Sequence, residues 1–140
     1  MADIIYDSFL PDALNGNCNT THTFKGILVS AGYSESRSHS KRSDITSEIS
    51  GPGYSTGGAT VSLSVAVNTT THVVTITIGP CSWPNSSLTA RKMIVARARG
   101  GAASADELVC CVDNGTDVVS SNGTLTFPGA TWTIPLPAPV

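Results

Sequence analysis

The sequence predicts an all-β protein, an antiparallel β-sandwich of either the jelly-roll or the immunoglobulin-like kind. Three observations point there. Ser and Thr make up roughly a quarter of the 140 residues while charged residues make up only 13%, about half the usual share. Val61–Val67 and Val73–Ile78 alternate apolar with small or hydroxyl residues at period two, the mark of half-buried strands. The other patterned segments are short, rich in Val, Ile and Thr, and separated by Gly, Pro, Asn and Asp turn signals.

Residues 1–16 read as an N-terminal arm or short helix. Ile4, Ile5, Phe9, Leu10 and Leu14 are too apolar for a free tail; Asp7 or Ser8 is placed to cap a helix that tolerates Pro11 in its first turn and ends at Asn15-Gly16. Such an arm packs on its own sandwich or reaches a neighbouring subunit. Residues 17–134 form the sandwich. Thr23–Ala31 is its first strand, with Gly26 at the position of a bulge. Tyr33–Arg42 reads as an exposed loop, followed by one short turn capped by Ser43-Asp44 that carries Ile45 and Ile49 on one side. Val61–Val67 and Val73–Ile78 form a hairpin around the polar turn Asn68–Thr71. Gly79-Pro80 ends it and Trp83-Pro84-Asn85 makes a loop.

Leu88–Arg99 fits a strand better than a helix, because helical spacing scatters its cations over the circumference. As a strand it sets Arg91, Arg97 and Arg99 beside Met93 and Val95, opposite Ile94, Ala96 and Ala98. Glu107–Val112 is a buried strand, Asp113-Asn114-Gly115 and Ser121-Asn122-Gly123 are turns, and Thr124–Phe127 and Thr131–Ile134 are the last strands. Residues 135–140 form a Pro-rich tail that cannot extend a ladder.

Chemistry is sparsely represented. Gly53-Tyr54-Ser55-Thr56-Gly57 matches the G-x-S-x-G nucleophile elbow, which needs a strand before the serine and a helix after it. Here a strand follows. His72 is the only histidine downstream, and no carboxylate lies between it and Ser55. The stretch therefore reads as a glycine-rich turn, and no catalytic residue is assigned. His22, His39, His72 and the four cysteines show no metal-ligand spacing; no metal or cofactor is expected. Adjacent Cys110 and Cys111 point to opposite faces of a strand. MADIIYDSF lacks the basic start and apolar run of a signal peptide. Synthesis in a cytoplasm is therefore expected, with reduced thiols and unmodified N-x-S/T sequons.

The candidate functional residues are cationic. Two clusters, 37–42 and 91–99, hold seven of the eight Lys and Arg residues. Arg37, Lys41, Arg42, Arg91, Arg97 and Arg99 are the candidates for a protein interface, complementary to acidic patches on a partner or a second copy. Few aromatics interleave with them, so nucleic acid is not expected, and no apolar run is long enough to span a membrane. Trp83 and Trp132 offer an alternative, the floor of a cleft in a receptor- or carbohydrate-binding β-sandwich module.

The segments IIYDSFLPDALNG, TFKGILVSAGYS, KRSDITSEISGPGYSTGG, GGAASADELVCCVD and SNGTLTF, in this order, resemble a family of small tailed-phage virion proteins, the cement or decoration proteins of podophage heads. The resemblance implies a jelly-roll-like sandwich on the outside of a capsid built from a separate major capsid protein. It also implies a homodimer, with a trimer as the alternative, and neither catalysis nor a cofactor.

Overall fold

The computed structural model describes residues 3–138. Its elements are β1 (Ile4–Ile5), α1 (Phe9–Leu14), β2 (Phe24–Val29), β3 (Ala59–Val61), β4 (Leu63–Asn68), β5 (Val73–Ile78), β6 (Cys81–Ser86), β7 (Thr89–Arg97), β8 (Leu108–Val119), β9 (Gly123–Phe127) and β10 (Ala130–Pro135), with 3-10 turns at Arg42–Asp44 and Ala103–Ala105. The expected all-β antiparallel sandwich forms, with five strands in each layer. One layer is a continuous sheet ordered β1-β8-β7-β2-β3; the other consists of β10-β5-β4 and β6-β9.

The five-stranded sheet has short outer strands. Along β8, Ile4 and Ile5 pair with Cys111 and Cys110, and beyond them Lys41 bridges Glu107, with the Leu108 N–H donating to the Ser40 carbonyl at 3.1 Å. Along β2, residues 24–26 pair with β3, and further on the Ile49 N–H donates to the Leu28 carbonyl at 3.1 Å. Between these two pairings the Leu28 N–H donates to the Tyr54 hydroxyl at 3.1 Å. That hydroxyl donates in turn to Glu48 at 2.7 Å. Short edge strands of this kind discourage further pairing.

The second layer is a folded sheet rather than two separate ones. Ala130 lies opposite Ile78 and Phe127 opposite Cys81, so the register is the same on both sides of the break. Gly79 therefore faces Gly129, and Pro80 faces Pro128. Two prolines remove the ladder donors at the crease. A Cβ on Gly129 would lie 2.0 Å from the Ile78 carbonyl oxygen, so only glycine allows the two strands to meet there. The β3–β4 strand turns the same corner at Ser62, whose carbonyl accepts the Gly79 N–H at 3.0 Å.

Alternation in the sheet builds two cores. Phe24, Leu28, Met93, Val95, Cys110 and Val112 meet Ile76, Ile78, Cys81, Trp83, Leu125 and Phe127 between the layers. Ile27, Val29, Ile94, Ala96, Leu108 and Cys111 point outward and are roofed by Tyr6, Tyr33 and Ile45. Cys110 and Cys111 thus occupy opposite faces, as adjacent strand residues should.

Several sequence expectations are corrected. Gly26 is not a bulge: it pairs regularly with Ala59 and Val95 and leaves room for Met93, whose sulfur would lie 2.6 Å from a Cβ. Tyr33–Arg42 is not simply exposed, because Tyr33 is buried and its hydroxyl bonds Tyr6 and His39 at 2.9 and 2.8 Å. Ile45 and Ile49 do not share a side; they pack into different cores. Trp83-Pro84-Asn85 lies within β6, its irregularity taken up by positive φ at Asn85.

Asp113-Asn114-Gly115 does not end its strand. Residues 114–117 bulge out of β8 opposite Arg91, and the ladder resumes at Val118. Pro135 is the last rung of β10 rather than the start of a free tail, and the Leu136 N–H still donates to the His72 carbonyl at 2.9 Å. Pro139 lies outside the described residues. The N-terminal helix forms where expected, with Gly16 after it at φ +81°, and Phe9 packs it on its own sandwich. The expected cap does not form, since neither Asp7 nor Ser8 makes a side-chain capping bond.

Candidate interaction surface

One end of each basic cluster, Lys41-Arg42 and Arg99, meets the same acidic pair. Arg42 Nε donates to Asp106 Oδ2 at 2.8 Å, and the Arg99 backbone N–H donates to Asp106 Oδ1 at 3.0 Å. Arg99 forks Glu107 at 2.6 and 2.9 Å, with Lys41 at 3.8 Å from the same carboxylate. Both acids are buried, and the Arg99 hydrogen bond holds the Glu107 carboxyl below the usual range. Arg91 pairs with Asp117 at 2.9 Å, inside the bulge of β8. Arg97 donates to the Asn17 carbonyl at 2.6 Å. Five of the six candidates are thus engaged within the chain; Arg37 has no side-chain partner among the described residues. Arg91 and Arg97 stand about 20 Å apart along β7 at strand rise, so they do not form one patch.

The surface that sequence reading missed is uncharged. Between Glu48 and Arg91 there is no Asp, Glu, Lys or Arg, and none follows Asp117. These two segments supply β3–β6, β9 and β10, so one complete layer of the sandwich carries no acidic or basic side chain apart from His72. Its inner face continues past the covered core. Val65 lies opposite Ile76, and Val67 opposite Val74; Ile76 is buried, whereas Val65 and Val67 are 51% and 55% exposed. Across from this overhang stand α1 and the Cys18–Thr20 segment that follows it, and Phe9 meets Trp132 edge-on at 6.2 Å.

The gap is a groove of about 600 Å³ lined by Leu10, Leu14, Val65, Ile134 and Leu136 among others, with no charged residue. Leu14 is 81% exposed at its rim. Contiguous exposed apolar surface of this kind marks interaction sites. Beside it runs β4, six residues long and paired, among the described residues, with β5 alone. It carries no Lys, Pro or bulge to protect its free edge, which is a template for strand addition.

The other sequence motifs resolve into structure. In Gly53–Gly57 the chain turns directly into β3; Gly53, Gly57 and Gly58 have φ of +88°, +95° and +82°, and the Gly57 N–H donates to Glu48 at 2.7 Å. The strand–turn–helix setting of an elbow is not what forms. Trp83 is 4% exposed inside the core, so its ring does not floor an open cleft. All four thiols are free and buried. Burial pushes the Cys18 and Cys111 thiols up to about 12 and Cys110 well above the ordinary range. No cluster of three or more His, Cys, Asp or Glu suited to a metal occurs among the described residues, and none of their helices is long and apolar enough to cross a membrane.

Comparison with family models, curated proteins and solved structures returned no match.

Proposed function

We propose that the chain is a structural virion protein, a cement or decoration protein that binds the outer surface of a tailed-phage capsid and ties neighbouring major capsid proteins together. The observation that carries the reading is the uncharged layer with its open apolar groove and unprotected β4 edge. Docking there buries apolar surface at about 25 cal/mol per Å² and adds main-chain hydrogen bonds along a strand. The order of resembling segments supplies the phage context, and the jelly-roll wiring it implies belongs to the same proposal. A second copy is the other partner, paired as a homodimer. Exterior placement on the virion suits a protein made in a host cytoplasm with four unpaired thiols.

Shells assembled from the cognate major capsid protein provide the test. Wild-type protein should co-sediment with them and remain bound in 1 M salt, because the docking face has no charge to screen. Val65→Asp and Leu14→Asp should each lower occupancy at least tenfold with an unchanged circular dichroism spectrum. Arg37→Glu, at the one candidate cation without a side-chain partner among the described residues, should leave occupancy as it is. Wild-type protein that fails to bind, or full occupancy by both apolar-face variants, would overturn the reading.

A further inference from the structure

A second concavity lies on the other layer, outside the five-stranded sheet, where the roof over the outward core stops short. It holds about 210 Å³, with Ile27, Ala96 and Ala98 as an apolar floor, Lys25 and Arg42 on its walls, and Thr56, Gly57, Gly100 and Gly101 at its mouth. Lys25 is the one cation outside the two sequence clusters. Strand alternation puts it on the same face as Ile27, and its ammonium has neither an ion pair nor a hydrogen bond among the described residues.

Arg42 is held in place. Asp106 is 3% exposed and takes the Arg42 Nε, while no described residue takes its two terminal nitrogens. Those nitrogens form the end-on fork that matches a carboxylate. Arg97 sits on the border with its guanidinium on the Asn17 carbonyl. Alternation turns the Arg97 side chain to the other face, so two cations, Lys25 and Arg42, and one carboxylate, Asp106, face the space, in a chain whose net charge is −2.

The mouth is open by composition. A Cβ at Gly57, Gly100 or Gly101 would meet nothing within 4 Å. Gly57 and Gly100 need glycine for their positive φ, but Gly101 needs it neither for backbone nor for packing. Its missing side chain keeps the entrance clear.

We propose that this cleft binds a carboxylate carried on a short aliphatic stem, as in a glutamate side chain. The Arg42 fork and the Lys25 ammonium receive the charge, and Ile27, Ala96 and Ala98 receive the methylenes. Inorganic phosphate fits less well, because it is strongly hydrated and has nothing to place on an apolar floor. The cleft and the groove are on different layers, so both can be occupied together.

Amide NMR titration of the full chain reads the site directly. Glutarate and an acetylated, amidated tetra-glutamate peptide should shift the amides of Lys25, Gly57, Gly100 and Gly101, while the uncharged glutaramide should not. Lys25→Met and Gly101→Leu should each weaken binding at least tenfold with the rest of the spectrum unchanged; the first removes charge and the second plugs the mouth without touching a charge. Peptide binding tenfold tighter than glutarate assigns the site to an acidic segment of a protein, and equal binding assigns it to a free small carboxylate. Shifts elsewhere only, phosphate binding as tightly as glutarate, or full binding by both variants would overturn the proposal. None of these outcomes depends on capsid docking.

Discussion

The Arg99 guanidinium grips Glu107 with two hydrogen bonds, Nη2 to Oε2 at 2.6 Å and Nε to Oε1 at 2.9 Å, on a carboxylate only 3% exposed. Bidentate geometry of this kind is the strong form of the charge-assisted bond. It fastens the end of β7 to the start of β8, while Lys41 and Arg42 fasten the 40–42 segment to the same acids. Cations that look in sequence like an interface thus close the edge of a sheet.

Acid should open this region first. Arg99 holds Glu107 below the ordinary carboxylate value, and the backbone N–H groups of Ser40 and Lys41 do the same for Asp44. At Glu35 burial is the largest influence and pushes upward, but the Lys92 hydrogen bond, a backbone hydrogen bond and the Lys92 charge together outweigh it, and the net shift is also down. A folded pKa below the unfolded one contributes stability that is fully present above the unfolded value, near 4 to 4.5, and is lost as pH falls through the folded value. Thermal melts should therefore show Tm falling steeply below about pH 4.5. In Glu107→Gln the drop between pH 7 and pH 3.5 should be smaller than in wild type; an identical drop would remove Glu107 from the account.

The Lys92–Glu35 pair should show the asymmetry of buried ions. Lys92 has a side chain 6% exposed, donates to the Tyr33 carbonyl at 2.8 Å and pairs with Glu35. Removing the carboxylate strands a buried ammonium, so Glu35→Ala should cost about 3 kcal/mol. Replacing both partners, Lys92→Met with Glu35→Gln, should return stability to within about 1 kcal/mol of wild type. Urea midpoints measure both variants, and a double variant worse than Glu35→Ala would show that the ions stabilise the fold outright.

The sequence showed the hairpin because period-two alternation reports pleat directly: Leu63, Val65 and Val67 do face Ile78, Ile76 and Val74. It could not show that the far end of that face lies open, since alternation reads the same whether or not a second layer covers it. Proline and Asn-Gly signals misled where tertiary pairing overrode local preference, at Pro84 inside β6 and at Asn114-Gly115 inside β8. The charge-free stretch from Ile49 to Ala90 was legible all along, as was the isolation of Lys25. Their meaning needed the fold, which gathers the first into one layer and places the second at the edge of a cleft. The pairing of Arg42 with Asp106, 64 residues apart, has no local signal.

Burial should silence the thiols. Cys18, Cys81, Cys110 and Cys111 are all enclosed, and burial pushes all four thiols upward, so little thiolate exists near neutral pH. Iodoacetamide at pH 8 should add no label to the folded protein within an hour and four labels in urea, read by intact mass. Rapid native labelling of Cys18, which lines the apolar groove, would show that α1 lifts away from the sheet.

Three glycines should divide sharply in their tolerance of alanine. At Gly58, φ is +82° and a Cβ would lie 1.9 Å from the Gly26 carbonyl oxygen. At Gly129 the corresponding distance to the Ile78 carbonyl oxygen is 2.0 Å. In both cases the obstacle is backbone in a paired strand, which cannot move without breaking the ladder beside it. Gly58→Ala and Gly129→Ala should therefore each cost at least about 3 kcal/mol. Gly57, one residue earlier, has φ +95° but open space around it, so alanine there meets only the left-handed penalty of about 1 to 2 kcal/mol. The order in urea midpoint should be wild type, Gly57→Ala, then Gly58→Ala and Gly129→Ala together. Equal losses at Gly57 and Gly58 would mean that φ alone sets the cost. The close approach of the turn to β2 would then not be what requires glycine at position 58.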